Sequence, residues 1–218
     1  MPETLQFPLF VLAILFFLGW FAAGIIWNVR KGDAVLKWLR QGLPLVGERS
    51  TLTWRGSSVV EMQIAKAKGS FRSAETLVVF EPRDVPFLWA LARLRGRRDL
   101  LIFRSQLRST PAFEIEAFDP QGWSTNSLQE IVQRKNWTRV DLPAIQPLVT
   151  YSASESTADR AKPLIDLAVR AGGKVVRLAV HRDMPNLEIH WILPQTTAFP
   201  AQALFSTIQK IGEDILNA

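Results

Sequence analysis

The chain of 218 residues has no cysteine, two histidines (His181 and His190) and a single tyrosine, Tyr151. Without thiols it forms no disulfide, no thiolate metal centre and no cysteine nucleophile. That absence fits a reducing compartment. The glycines fall in no GxGxxG, GxxxxGK[ST] or GxSxG arrangement, so the phosphate-cradling loops and the strained nucleophile turn of common enzyme classes are missing. With so few titratable rings and no thiol, the expectation is a protein that is not an enzyme and carries no cofactor.

Charge is missing from one long stretch. Phe7 to Trp27, FPLFVLAILFFLGWFAAGIIW, contains no ionisable side chain, no amide and no hydroxyl. A helix of that length covers about 31 Å, close to the thickness of a bilayer's hydrocarbon core. The chain therefore reads as 1–6 outside, a transmembrane helix over 7–28, a juxtamembrane amphipathic linker over 29–48, and a soluble region beyond. A cleaved signal peptide fits less well. The six residues ahead of the run hold Glu3 and no base, and Ile25-Ile26-Trp27 follows the small residues without a polar start. Arg30, Lys31, Lys37 and Arg40 follow the run, so the positive-inside rule puts the short N-terminus outside and the body in the cytoplasm. The expected location is the cell membrane, with a single pass.

The basic excess is uneven. Residues 1–110 carry 16 Lys and Arg against 8 Asp and Glu, whereas 111–218 carry 10 against 12. The membrane-proximal half thus faces the anionic inner leaflet, which attracts Lys and Arg by about 1 kcal/mol each near the surface. Trp27, Arg30, Lys31, Lys37, Trp38 and Arg40 are the expected interface residues. Gly32-Asp33 predicts a break, with Asp33 capping a short helix over 34–41 that Gly42 and Pro44 end. Its Val35, Trp38 and Leu39 face lies either in the interface or on the soluble body. A second interface element is VPFLWALA (85–92), followed by Arg93, Arg95, Arg97 and Arg98. Phe87, Trp89 and Leu91 would dip into lipid beneath a basic collar; the alternative is a core helix ending in cations, which its dipole favours.

Beyond residue 49 the pattern is α+β. TLTWR and SVVEMQIAK flank Gly56-Ser57 as a hairpin, and 69–74 reads as a loop. Two stretches then share one order. LVVF (77–80), a helix over 84–94, DLLIFRSQLR, FEIEAF (113–118) and a helix over 124–135 make the first. LVTYS (148–152), a helix over 157–171, KVVRLAVHR, LEIHWI (187–192) and a helix over 200–217 make the second. Glu114-Ile115 and Pro120 recur as Glu188-Ile189 and Pro194 at an offset of 74, and WTRVDL (137–142) offers the first copy a sixth element. The expectation is a duplicated βαββα, ferredoxin-like antiparallel plan, with modules over 49–143 and 144–218. Leu204, Ile208, Ile211 and Ile215 form one helical stripe, as do Leu164, Leu167, Ala168 and Ala171. One sheet face is apolar; Arg104, Gln106, Arg108, Glu114 and Glu116 belong to the wet one.

Candidate sites are few. A hairpin turning at 184–186 would set His181 opposite His190, with Asp183 and Glu188 two positions away, a set of donors that can hold a metal. A polar hairpin face fits better, because Arg104 and Glu116 fill nearly the same places in the first copy as a cross-strand ion pair. RNA-binding sheets need exposed aromatics, and Arg104, Glu114 and Glu116 stand there instead, so no nucleic acid is expected. Gly19 and Ala23 form a small-xxx-small pair that lets another helix approach within lipid. Asn136-Trp137-Thr138 matches a glycosylation sequon by chance, since the expected face is cytoplasmic. The expected function is a non-catalytic anchored protein that docks to, assembles or regulates a membrane complex, with lipid and another membrane protein as partners. The alternative is a tethered sensor binding a small anion near Arg104 or Arg177 in a cleft between two modules.

Overall fold

Helix α1 runs unbroken from Glu3 to Val46 in a computed structural model that describes residues 3–146, 148–154 and 157–218. The expected break at Gly32-Asp33 and the separate helix over 34–41 do not occur. Both glycines serve close approach instead of termination. A Cβ on Gly32 would lie 2.4 Å from the Trp54 ring, and one on Gly42 would lie 2.5 Å from the Ala201 carbonyl oxygen. Tertiary packing thus overrides the local cost of glycine in a helix. The first part of α1 is long and apolar enough to cross a membrane and is almost uncovered by the rest of the chain.

The body is one antiparallel sheet of nine strands: β1 (Arg49–Arg55), β2 (Val59–Ala65), β3 (Phe71–Val79), β4 (Leu100–Leu107), β5 (Ile115–Phe118), β6 (Thr138–Val140), β7 (Val149–Ser152), β8 (Val175–Val180) and β9 (Leu187–Ile192). Among the described residues there are four further helices: α2 (Pro86–Leu94), α3 (Thr125–Arg134) and α4 (Ala158–Gly172) between strands, and α5 (Ala201–Leu216) after β9. The β1–β2 hairpin turns at Gly56, whose φ of 68° needs glycine. Phe71 to Ala74, expected in a loop, opens β3.

The order of elements is that read from the sequence, but the pairing departs from two ferredoxin-like modules. Across the sheet the strands run β1-β2-β3-β4-β9-β8-β5-β7-β6. β4 and β5, expected as a hairpin, do not pair; the β8–β9 hairpin sits between them, pairing β9 with β4 and β8 with β5. In the second half, β7-α4-β8 is a crossover whose two parallel strands flank one antiparallel strand. That middle strand is β5, from the first half, where a ferredoxin-like plan would put β9. In the first half β3 lies directly beside β4, so the halves do not share one pairing scheme.

One face of the sheet is covered by helices. α5 packs against both α1 and α4. Val35, Leu36, Leu39 and Val46 of α1 join Leu164 and Ala168 of α4 and Leu204, Ile208, Ile211 and Ile215 of α5 over Phe71, Phe103, Ile115, Leu178, Ile189 and Trp191. Trp191 donates to the Ala168 carbonyl at 2.9 Å, and Gly172 leaves room for its ring. On the opposite face Leu128 and Val132 of α3 cover Phe118. The remainder of that face divides between a small apolar cluster of Leu100, Ile102 and Val176, flanked by Leu77, Val79 and Ile192, and the charged side chains described next.

Candidate functional site

Two polar constellations stand out, one at the joint of α1 with the body and one across the open sheet face. At the joint, Trp20, Gly24, Asn28 and Lys31 recur at helical spacing and so form one stripe on α1. Trp20 Nε1 donates to the Arg83 carbonyl at 2.9 Å, and Asn28 Nδ2 donates to the Glu81 carbonyl at 3.1 Å. Gly24 lies between them against backbone, since a Cβ there would meet Arg83 O at 2.4 Å. Arg83 grips Asp99 with both terminal nitrogens, at 3.0 and 2.9 Å, and reaches Asn28 Oδ1 at 3.0 Å. Lys31 meets Asp99 Oδ2 at 2.6 Å.

Glu81, 1% exposed, completes this joint. Its carboxylate accepts from Trp89 Nε1 at 2.7 Å and pairs with Arg93 at 3.3 Å, which ties α2 to the same cluster. Burial opposes the charge on Asp99, but hydrogen bonds from Arg83, Lys31 and the Glu81 backbone outweigh it and hold the carboxyl below its ordinary range. A buried pair of this kind can add little net stability, whereas removing one partner strands the other and is costly.

Across the open face runs a ladder of alternating charge. Glu75 lies 3.7 Å from Arg104, Arg104 2.8 Å from Glu188, and Glu188 3.0 Å from Arg177. Arg177 binds Glu116 through Nε at 2.6 Å and Nη2 at 3.1 Å. Glu116, fully buried, also contacts His181 Nε2 at 2.8 Å. Lys135 meets both His181 and Glu114 at 3.2 Å. Burial penalises the Glu188 anion, yet the His190 hydrogen bond and the Arg177 and Arg104 charges prevail, bringing its pKa down to about 2. Burial lowers His190, with Glu188 opposing, so this ring is neutral at neutral pH and donates Nε2–H to Glu188 at 2.7 Å. A groove of about 500 Å³ opens beside the ladder, lined by Gln63, Glu75, Arg104, Gln106 and Met184 among others.

The chain matches no protein-family model and no curated protein.

The hairpin register differs from the one expected. The β8–β9 turn spans 181–186, with His181 N donating to Asn186 O, so His190 stands opposite Arg177 instead of His181. The four-donor set does not converge: His181 goes to Glu116, His190 to Glu188, and Asp183 is exposed. Among the described residues no group of three or more His, Asp or Glu is placed to hold a metal. The expected Arg104–Glu116 pair is also replaced, each finding its partner in the second half (Glu188 and Arg177). Both guanidiniums are thereby committed to carboxylates.

Of the expected interface residues, Trp38 is in the wrong place for lipid. It is 6% exposed and donates to the Phe199 carbonyl at 2.8 Å, so the Val35, Trp38 and Leu39 face packs on the body. Lys31 turns to Asp99, whereas Arg30, Lys37 and Arg40 are exposed on the outer side of α1. Trp27 is 64% exposed and lines an apolar groove of about 300 Å³ with Trp20, Ala23, Gly24, Arg83 and Trp89. Gly19 has no neighbour within 4 Å of a built Cβ, and Ala23 is exposed, so that small-residue face is uncovered. Arg93, Arg95, Arg97 and Arg98 follow one another out of α2. Arg97 lies over the Trp123 ring at 5.5 Å, and Arg98 donates to the Arg93 and Arg97 carbonyls. Asn28, Glu81, Arg83 and Asp99 are not among the site residues expected from the sequence. The signal was Asn28 itself, a lone amide one residue beyond the apolar run and in phase with Trp20 and Gly24.

Proposed function

We propose that the protein is a single-pass membrane protein whose α+β body docks to, assembles or regulates a neighbouring membrane complex without catalysing a reaction. The observation that carries this reading is the joint. α1 leaves its apolar part and enters the body as one helix, locked from Trp20 to Leu39 by hydrogen bonds, ion pairs and core packing. Such a construction holds one sheet face at a fixed angle to the membrane, which suits a scaffold. Support also comes from the charged groups, which are spent on one another: both histidines and both central arginines are engaged by carboxylates. The basic residues beside the span favour a cytoplasmic body and an outside N-terminus. The repeated βαββα order and the 74-residue offset favour an interleaved duplication within one sheet. Purifying the tagged full chain from its own membrane in mild detergent tests the function. A stoichiometric membrane partner is expected, and repeated isolation of the chain alone overturns the reading.

The groove beside the ladder favours a second reading, a tethered small-ligand sensor. Its one basic member, Arg104, is already paired with Glu188, which weakens the anion version. A thermal-shift screen of the full chain separates the two, since a sensor shows a large metabolite-dependent stabilisation and a scaffold does not.

A further inference from the structure

α2 is a nine-residue helix with no buried side chain. Phe87, Leu88, Leu91 and Leu94 are 64, 48, 45 and 85% exposed, and their spacing puts all four on one stripe. The other side is fixed: the Trp89 ring lies tilted against Trp20, at 6.1 Å between ring centroids, and hydrogen-bonds Glu81, and Arg93 pairs with Glu81. So the helix is held rigidly by the joint with its apolar stripe turned away from the protein. A contiguous patch of large apolar side chains on a fixed element marks a contact with something outside the chain.

The joint also sets the height of α2. It meets α1 where Trp89 lies against Trp20, and the loop before it meets Trp20 and Gly24 through Arg83. At the rise of an α-helix these residues lie about 5–10 Å short of Trp27 along the axis. If the span ends near Trp27, α2 lies beside its last turns, within the depth of roughly 5–10 Å at which interfacial helices bury their apolar faces. Arg95, Arg97 and Arg98, which follow α2, then sit where anionic headgroups are. Trp89, expected from the sequence to enter lipid, points inward, while Leu88 and Leu94 take its place.

We propose that α2 is a second membrane-contacting element, a helix lying in the inner headgroup–acyl boundary with Phe87, Leu88, Leu91 and Leu94 in the acyl region and the following arginines on anionic headgroups. This rests on α1 crossing the same bilayer. Two points of attachment, the span and α2, fix both the tilt and the rotation of the body.

The absence of cysteine makes the test clean. Leu91→Cys, Leu94→Cys, Phe17→Cys and Lys210→Cys are each made in the full chain, labelled with a nitroxide and reconstituted in phosphatidylcholine vesicles containing phosphatidylglycerol. Collision with oxygen is compared with collision with a water-soluble nickel complex. The expected result is an oxygen preference at positions 91 and 94 several-fold above that at 210 and approaching that at 17. A lipid-like reading at 17 with a water-like reading at 91 and 94 overturns the proposal and leaves the span intact. Shielding of 91 and 94 from both probes means that protein covers the stripe, which also overturns it. A water-like reading at 17 removes the span itself.

Discussion

Arg177→Met removes the central cation of the ladder while keeping most of the side chain's volume. In the native protein Arg177 holds Glu116 by two nitrogens and Glu188 by a third contact. After the change, fully buried Glu116 keeps only His181, while Glu188 retains Arg104 and His190. Stranding a buried charge costs about 3–5 kcal/mol, and the surviving partners argue for the lower end, about 3 kcal/mol. For a chain of this size that corresponds to a fall in Tm of about 6–12 °C. Thermal unfolding of the full chain in detergent at neutral pH, followed by tryptophan fluorescence, reads it directly. Adding Glu116→Gln removes the orphaned charge, so the double variant should recover much of the loss, a coupling that a double-mutant cycle isolates. A single variant as stable as the native protein, or a double variant whose losses simply add, refutes the account of this ladder.

The joint is tested by a matched pair of glycines. Gly24→Leu forces the Arg83 backbone away and should cost about 2–4 kcal/mol, with faster amide exchange over residues 81–99, whereas Gly19→Leu should change neither. Trp38→Phe leaves the Phe199 carbonyl unpaired and should cost about 1–3 kcal/mol by the same melting assay; no change would mean that this part of α1 is not packed on the body. Acid should weaken the fold in two steps. His190 is lowered from its ordinary 6.5, so the unfolded chain binds the extra proton and stability falls as pH drops below that value. Glu188, about 2 against an ordinary 4.5, contributes about 3 kcal/mol above the upper value, lost as pH falls towards the lower one. Denaturant titrations should show a smaller lower step in Glu188→Gln, the remainder coming from Asp99, Glu114, Glu116 and Asp119, whose carboxyls are also held below their ordinary range. The upper step should be larger, because Glu188 no longer offsets the burial of His190.

Periodicity carried the helices and the faces of the strands into the structure. Leu204, Ile208, Ile211 and Ile215 are all buried, and LEIHWI is β9 to the residue. Alternation tells which way a side chain points but not which strand lies beside it. β5 therefore could be assigned a polar side, through Glu114 and Glu116, and still be given the wrong neighbour. Hairpin register failed for a local reason: the turn after His181 is longer than the three residues allowed for it, and a shift of pairing exchanged His181 for Arg177 opposite His190. The joint was hard to see because its contacts join three separate stretches, 28–31, 81–83 and 99, with partners up to 68 positions apart, and apart from Asn28 each member passes singly for an ordinary surface charge. Glycines 24, 32 and 42 were legible as glycines but not as contacts, because what they approach comes from distant parts of the chain.

An unbroken helix running from the apolar segment into the sheet-bearing body makes angular phase a property of the whole molecule. Each residue of α1 adds about 100° of turn and 1.5 Å of rise, and no flexible linker absorbs an error. One extra residue between Leu18 and Gly19 would swing the outer part of the rod through more than a quarter circle relative to α2 and the charge ladder. Seven would return it almost to its starting azimuth, about two turns further out. Whatever recognises the outward flank of this rod must then read the body in the same orientation, and evolution can lengthen the segment only in near-whole turns.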